Sequence, residues 1–126
     1  MTVVVDTNAL MMPVECEVRL FEELDRLLTD AGGYLAPEAV RDELDKLADG
    51  AGKEATAAAV GRDLLDRCTL AGTEADYADD AVLELATRED VTHAVTNDKP
   101  LKRRLLDAGI PVISLRGRNK LGITQP

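Results

Sequence analysis

Two spacings of apolar residues, every second position and every third or fourth, divide the chain into a succession of strands and helices. Thr2–Val5 is a β-branched apolar run that stops at Asp6, the pattern of a buried parallel strand. Over residues 17–30, Leu20, Phe21, Leu24, Leu27 and Leu28 recur at helical spacing until Gly32 and Gly33 end the pattern. A short strand at 34–36 leads through Pro37 into a helix over 38–48. Gly50 and Gly52 break the chain, and an Ala-rich helix is expected over 53–68, with Val60, Leu64 and Leu65 on one side. A helix over 76–88, a strand over 93–96, a helix over 100–108 and a strand over 112–115 complete the series.

Strands alternating with helices imply an α/β fold with a parallel sheet and helices on both faces. The length fits one domain, expected over 1–116, with 117–126 as a short C-terminal tail. In open α/β sheets ligands gather beyond the carboxyl ends of the strands. Asp6 and Asp98 each directly follow a predicted strand, so both belong to that edge.

Elimination narrows the chemistry. The single histidine, His93, sits within a predicted strand, so a mechanism needing two histidines is excluded. No serine or cysteine lies in a nucleophile-elbow sequence. Gly50-Ala51-Gly52-Lys53 resembles part of a phosphate loop, but Glu54 follows the lysine and Leu47 stands where the first glycine belongs. Cys16 and Cys68 are isolated thiols, expected as small buried hydrophobes with no zinc site. A phosphotransfer site with Asp6 as nucleophile would want a second acid two residues on, where Asn8 stands. Carboxylates remain.

The informative acids are those that take a place where a hydrophobe belongs. The helix over 38–48 has an inward stripe of Val40, Glu43, Leu44 and Leu47, so Glu43 is expected to face the core. In the helix over 76–88 the stripe is Asp79, Val82, Leu83 and Ala86, with Asp79 the intruder and Asp80 turned outward. Asp6 and Asp98 also read as cap or turn residues. Convergence of Asp6, Glu43, Asp79 and Asp98 at one sheet edge explains all of them together. Such a cluster cannot stay ionised and dry, and hard divalent cations, Mg²⁺ or Mn²⁺, relieve the repulsion.

Charge is segregated along the chain. The net charge of −9 argues against nucleic acid, yet residues 99–120 hold Lys99, Lys102, Arg103, Arg104, Arg116, Arg118 and Lys120 against Asp107 alone. That segment carries +6 and the remainder −15. A local basic face of this kind can bind phosphates on an acidic protein. With no Trp, one Phe and two Tyr, base stacking on aromatic rings is expected to be minor. No early apolar run is long enough for a signal peptide or membrane span, so a cytoplasmic location without membrane contact is expected.

Four segments, in order, resemble the PIN-domain nucleases. They are Val3-Val4-Val5-Asp6-Thr7-Asn8, Pro37-Glu38-Ala39-Val40-Arg41-Asp42-Glu43-Leu44, Asp79-Asp80-Ala81-Val82-Leu83-Glu84-Leu85-Ala86 and Val95-Thr96-Asn97-Asp98-Lys99. The resemblance spans nearly the whole chain and implies a three-layer α/β/α sandwich around a mainly parallel sheet. It puts the catalytic and metal-binding acids at Asp6, Glu43, Asp79 and Asp98, with Asp80 the alternative for the third. It implies Asn8 and Thr96 as hydrogen-bonding supports. The implied activity is an endoribonuclease using one or two Mg²⁺ or Mn²⁺ ions. Residues 110–120, 78–80 and 102–104 resemble the branch of archaeal and eukaryotic rRNA-processing nucleases, with VapC-type toxin ribonucleases sharing the core. Structured RNA, a homodimer and an antitoxin are the partners so implied. A non-catalytic RNA-binding assembly factor is the reading the basic segment alone would support.

Overall fold

A computed structural model of the chain describes residues 2–29 and 31–126. Its elements run β1 (Thr2–Val5), α1 (Thr7–Glu15), α2 (Leu20–Leu27), β2 (Gly33–Pro37), α3 (Glu38–Ala48), α4 (Gly52–Leu64), a 3₁₀ turn (Leu65–Arg67), β3 (Thr69–Ala71), α5 (Ala78–Ala86), β4 (Val91–Val95), α6 (Lys99–Asp107), β5 (Val112–Arg116) and β6 (Lys120–Thr124). The strands form one sheet in the order β3-β2-β1-β4-β5-β6, parallel except for β6. The chain moves outward from β1 to β3, then returns across the sheet to β4. The switch point therefore lies between the carboxyl ends of β1 and β4, where an open sheet leaves a crevice.

With the strand order reversing after β3, the right-handed rule for parallel crossovers assigns α1–α4 to one face and α5 and α6 to the other, which makes three layers. α1, α3 and α4 pack on one another, and α5 packs on β1, β2 and β4 with α6 beside it. Val3, Val4 and Val5 are fully buried between the layers, as an apolar central strand must be. The Ala-rich pattern of α4 is what lets it lie close to α1: Ala57, Ala58 and Gly61 are buried there. A Cβ at Gly61 would stand 2.9 Å from the Leu10 carbonyl oxygen, so only glycine fits.

Several expected boundaries change. Residues Thr7 and Asn8, which follow the first expected strand with no helix assigned to them, open α1, because the Asp6 side chain caps a helix there. Helix α2 is shorter than the expected 17–30 at its start, since Glu17 takes a left-handed φ of 55° that no helix continues. Asp30, the last residue of that expected helix, lies outside the described residues. The helix expected over 53–68 gives way after Leu64 to a 3₁₀ turn and the short exposed edge strand β3. The helix expected from residue 76 begins at Ala78. The segment 117–126 is more than a tail: β6 pairs antiparallel with β5 from Arg116↔Lys120 to Val112↔Thr124. Its Leu121 is buried in the core and anchors the strand. Among the described residues no helix is long and apolar enough to cross a membrane.

Candidate active site

Asp6 is the buried centre of the switch-point crevice. It ends β1, its backbone N–H donates to the Val95 carbonyl at 3.3 Å, and its Oδ1 accepts the Ala9 N–H at 2.6 Å as the cap of α1. The other oxygen, Oδ2, accepts the hydroxyl of Thr96 at the end of β4. Thr96 Oγ1 in turn accepts the Asp98 N–H at 3.0 Å, and Asp98 Oδ2 caps α6 by accepting the Leu101 N–H at 3.0 Å. Asn8 joins the same loop, its Oδ1 accepting the Asn97 N–H at 3.1 Å. Asn97 Oδ1 accepts the Leu115 N–H at 2.7 Å, which fastens the loop to β5. Parallel strands thus deliver Asp6 and Asp98 to one place, and short hydrogen bonds hold them there.

A cleft of about 300 Å³ opens over this centre, lined by Asp6, Glu43, Asp79 and Asp98 together with Glu15 and Glu54, and by Thr7, Asn8, Met11 and Leu47. The α3 and α5 acids therefore reach the same cleft as the strand-end acids. Glu43 is not core-facing as its stripe suggested. It is exposed on the cleft wall, while Val40 and Leu44 of the same helix are fully buried. Asp79 is likewise exposed rather than enclosed, so the cost of burying a carboxylate falls mainly on Asp6. Asp80 turns away from the cleft and pairs with Arg104 Nη2 at 2.8 Å.

Electrostatics follow from that placement. Burial, reinforced by the charges of Asp79 and Asp98, pushes the Asp6 carboxyl up to about 7 against the hydrogen bonds from Thr96 and Ala9 that favour its anion. Asp79 is raised too, by desolvation first and then by Asp98 and Glu43, with Arg104 opposing. Among the described residues, none that lines the cleft is basic. A negatively charged concavity with no compensating base is a place for a cation.

A family model for the PIN like domain matches residues 3–118. The chain belongs to the PIN-domain family. Over 117 residues it is 30% identical to Ribonuclease VapC4 of Methanocaldococcus jannaschii, a stretch covering 90% of this chain and 89% of that protein. Its fold matches the structure of the PIN domain endonuclease Utp24 with a TM-score of 0.79 at 26% identity, over 99% of this chain and 92% of that one.

Two features of this PIN domain test its fitness for a metal. All the acids of its cleft wall are hard oxygen donors, the set Mg²⁺ and Mn²⁺ prefer. Thr7 Oγ1, also on that wall, is the only buried side-chain polar atom among the described residues without a hydrogen-bond partner. An orphaned hydroxyl beside these acids fits a group or water that the cleft would hold. Among the described residues, however, no three His, Cys, Asp or Glu side chains stand close enough to hold an ion as they are. The acids share a cleft without forming a closed coordination shell.

The sequence did not single out Glu15 or Glu54. Glu15 ends a helix that the pattern hid, and Glu54 looks like an ordinary first-turn acid of α4. Of the seven bases, Arg104 is engaged with Asp80, Lys102 Nζ with Ser114 Oγ at 3.2 Å, and Arg116 with the Ile123 carbonyl at 3.0 Å. Lys99, Arg103, Arg118 and Lys120 are exposed and make no ion pair among the described residues. His93 is half-buried with Nδ1 2.8 Å from Thr92 Oγ1, and burial lowers its pKa. Both cysteines are free and half-buried, and burial pushes Cys68 up to about 11.

Proposed function

We propose that the chain is a metal-dependent endoribonuclease whose working residues are Asp6, Glu43, Asp79 and Asp98. The observation that carries this reading is the shared cleft: two strand ends and two helices bring these acids to the switch point of a PIN-domain sheet. Mg²⁺ or Mn²⁺ held by the four carboxylates, as one or two ions, would supply Lewis-acid activation of the phosphodiester and of water. The chain's own contribution is positioning. Thr96 and the first turn of α1 fix both oxygens of Asp6, and the first turn of α6 fixes Asp98. Asn8 braces the loop that carries Asp98.

Hydrolysis adds one water across the phosphodiester. The water oxygen bonds to phosphorus, the bond from phosphorus to O3′ breaks, and O3′ takes up a proton. The products are a 5′-phosphate and a 3′-hydroxyl. Lys99, Arg103, Arg118 and Lys120 are the free bases for the RNA backbone, with Lys102, Arg104 and Arg116 behind them in structural pairs. Lys99 follows Asp98 directly, and Arg118 lies in the β5–β6 turn beyond the carboxyl end of β5, so charge continues from the cleft along that edge.

We assign the substrate to structured RNA in the cytoplasm, in rRNA processing, on the likeness of residues 78–80, 102–104 and 110–120 to that branch. Similarity to Ribonuclease VapC4 supports a second reading, a toxin held in check by an antitoxin protein. The purified protein with Mn²⁺ should cut structured RNA internally, leaving 5′-phosphate ends. RNA binding that survives chelation, with no cleavage under any divalent cation, would reject the enzyme in favour of a binding factor. Growth arrest on expression, relieved by a small protein encoded alongside, would decide for the toxin. Light scattering would test a homodimer.

A further inference from the structure

We propose that the ring of Tyr77 is a stacking platform for a nucleobase adjoining the phosphodiester in the carboxylate cleft. The proposal rests on the ribonuclease reading above and names a further substrate contact for it. Phe21 and Tyr34 pack edge to face with centroids 4.9 Å apart, whereas Tyr77 is 80% exposed. It directly precedes α5, two residues ahead of the cleft-lining Asp79. Its backbone therefore lies two residues from the cleft wall, although the ring is not itself part of the lining.

The backbone beneath it is fixed. The Glu84 carboxylate accepts the Glu74 N–H at 3.0 Å and the Ala75 N–H at 3.1 Å, and the Thr73 hydroxyl donates to the Ala75 carbonyl at 2.8 Å. The Tyr77 carbonyl accepts the Ala81 N–H at 2.8 Å, and Ala78 beside it is buried. A large ring held out into water on a braced segment leaves only its own rotamers to be ordered when a partner binds.

The surrounding charge selects the kind of partner. Asp76, Asp79 and Asp80 neighbour Tyr77 along the chain, and among these three Arg104 pairs directly with Asp80 alone. A phosphate approaching from this side meets repulsion. A base is uncharged and presents a π-face, so it can stack where the backbone cannot come. The expected arrangement has the backbone on the side of α6 and the β5–β6 turn, and a base turned toward α5.

The test compares the wild type with Tyr77→Ala and Tyr77→Phe on a short RNA containing a mapped cleavage site, with and without an abasic residue at each flanking position. Tyr77→Ala should raise KM by roughly five- to a hundredfold with kcat kept, while Tyr77→Phe stays near wild type. Removing the stacked base should cost the wild type the same factor and leave Tyr77→Ala no further loss. In a Tyr34→Phe background Tyr77 is the sole tyrosine, and RNA should quench its fluorescence. Equal KM for wild type and Tyr77→Ala, both cutting the RNA, would overturn this proposal and leave the ribonuclease reading standing. A change in light-scattering mass with unchanged KM would overturn it in favour of a protein interface. No cutting by the wild type under Mn²⁺ would remove both.

Discussion

Thr96 donates its hydroxyl hydrogen to Asp6 while accepting the backbone N–H of Asp98, so one side chain ties together the acids that end β1 and β4. The relationship explains why a threonine stands fully buried at the end of a central strand. Replacing it by an apolar residue removes the partner of the buried Asp6 oxygen and of the part-buried Asp98 N–H, at a cost of up to about 1–3 kcal/mol for each. Thr96→Val should lower the melting temperature by several degrees and cut cleavage at least about tenfold. Thr96→Ser should restore most of both. Calorimetry and a cleavage assay check the pair of outcomes.

Asp6 gives the metal-free protein a pH-dependent stability. Its folded pKa of about 7 lies above its ordinary 3.8, so across that interval the folded state binds the proton more tightly than the unfolded one. Stability contributed by the protonated form is fully present below about pH 4 and is lost as pH rises through about 7, by an amount on the order of 4 kcal/mol. Thermal melts under a chelator should therefore show stability falling between mildly acidic and neutral pH. Asp6→Asn should flatten that slope, and Mg²⁺ or Mn²⁺ should raise the melting temperature of the wild type most above pH 7.

Adjacent acids on α5 have different surroundings and should behave differently. Asp79 faces the cleft, whereas Asp80 is half-exposed and paired with Arg104. Asp79→Asn should cut single-turnover cleavage by a hundredfold or more on the order expected for a lost site carboxylate. Asp80→Asn should change activity only a few-fold and stability by roughly 0–1 kcal/mol, the usual worth of an exposed pair. Comparable losses in both variants would assign Asp80 a part in the cleft.

Unpaired bases at the carboxyl edge should govern RNA affinity. Lys99→Ala and Arg118→Ala should each weaken binding and lower the slope of log affinity against log salt by about one. Arg88→Ala removes the same charge from a guanidinium bonded to the Gly72 carbonyl, outside the cleft lining, and should leave the slope unchanged. Filter binding over a salt series measures all of them.

The strand ends were legible because each of Asp6 and Asp98 follows an apolar run that only a central strand explains. Glu43 and Asp79 were found by a stripe that assigned them to the core, although they border a cleft. A helix edge beside a crevice and a helix face against a core share the same spacing. Helix α1 escaped because Thr7, Ala9, Leu10, Met11 and Met12 are all buried, which removes the polar half of an amphipathic pattern, and Pro13 lies inside it. Strand β6 escaped because its neighbours Arg118, Asn119 and Lys120 read as solvated chain, while its pairing with β5 is a contact that local spacing cannot reveal. Tyr77 was passed over in a tally of few aromatics, since exposure rather than number gives it meaning.

Single-turnover cleavage by Asp6→Asn reports on the carboxylate cleft most directly. Asn keeps the size of the side chain and an oxygen for the Ala9 N–H, so the fold should persist by circular dichroism. Cleavage of a structured RNA with Mn²⁺ should fall by a factor of about a thousand or more, as expected when a central charge of a metal-assisted site is removed. A folded Asp6→Asn protein cutting that RNA at the wild-type rate would contradict the assignment of hydrolysis to this cleft.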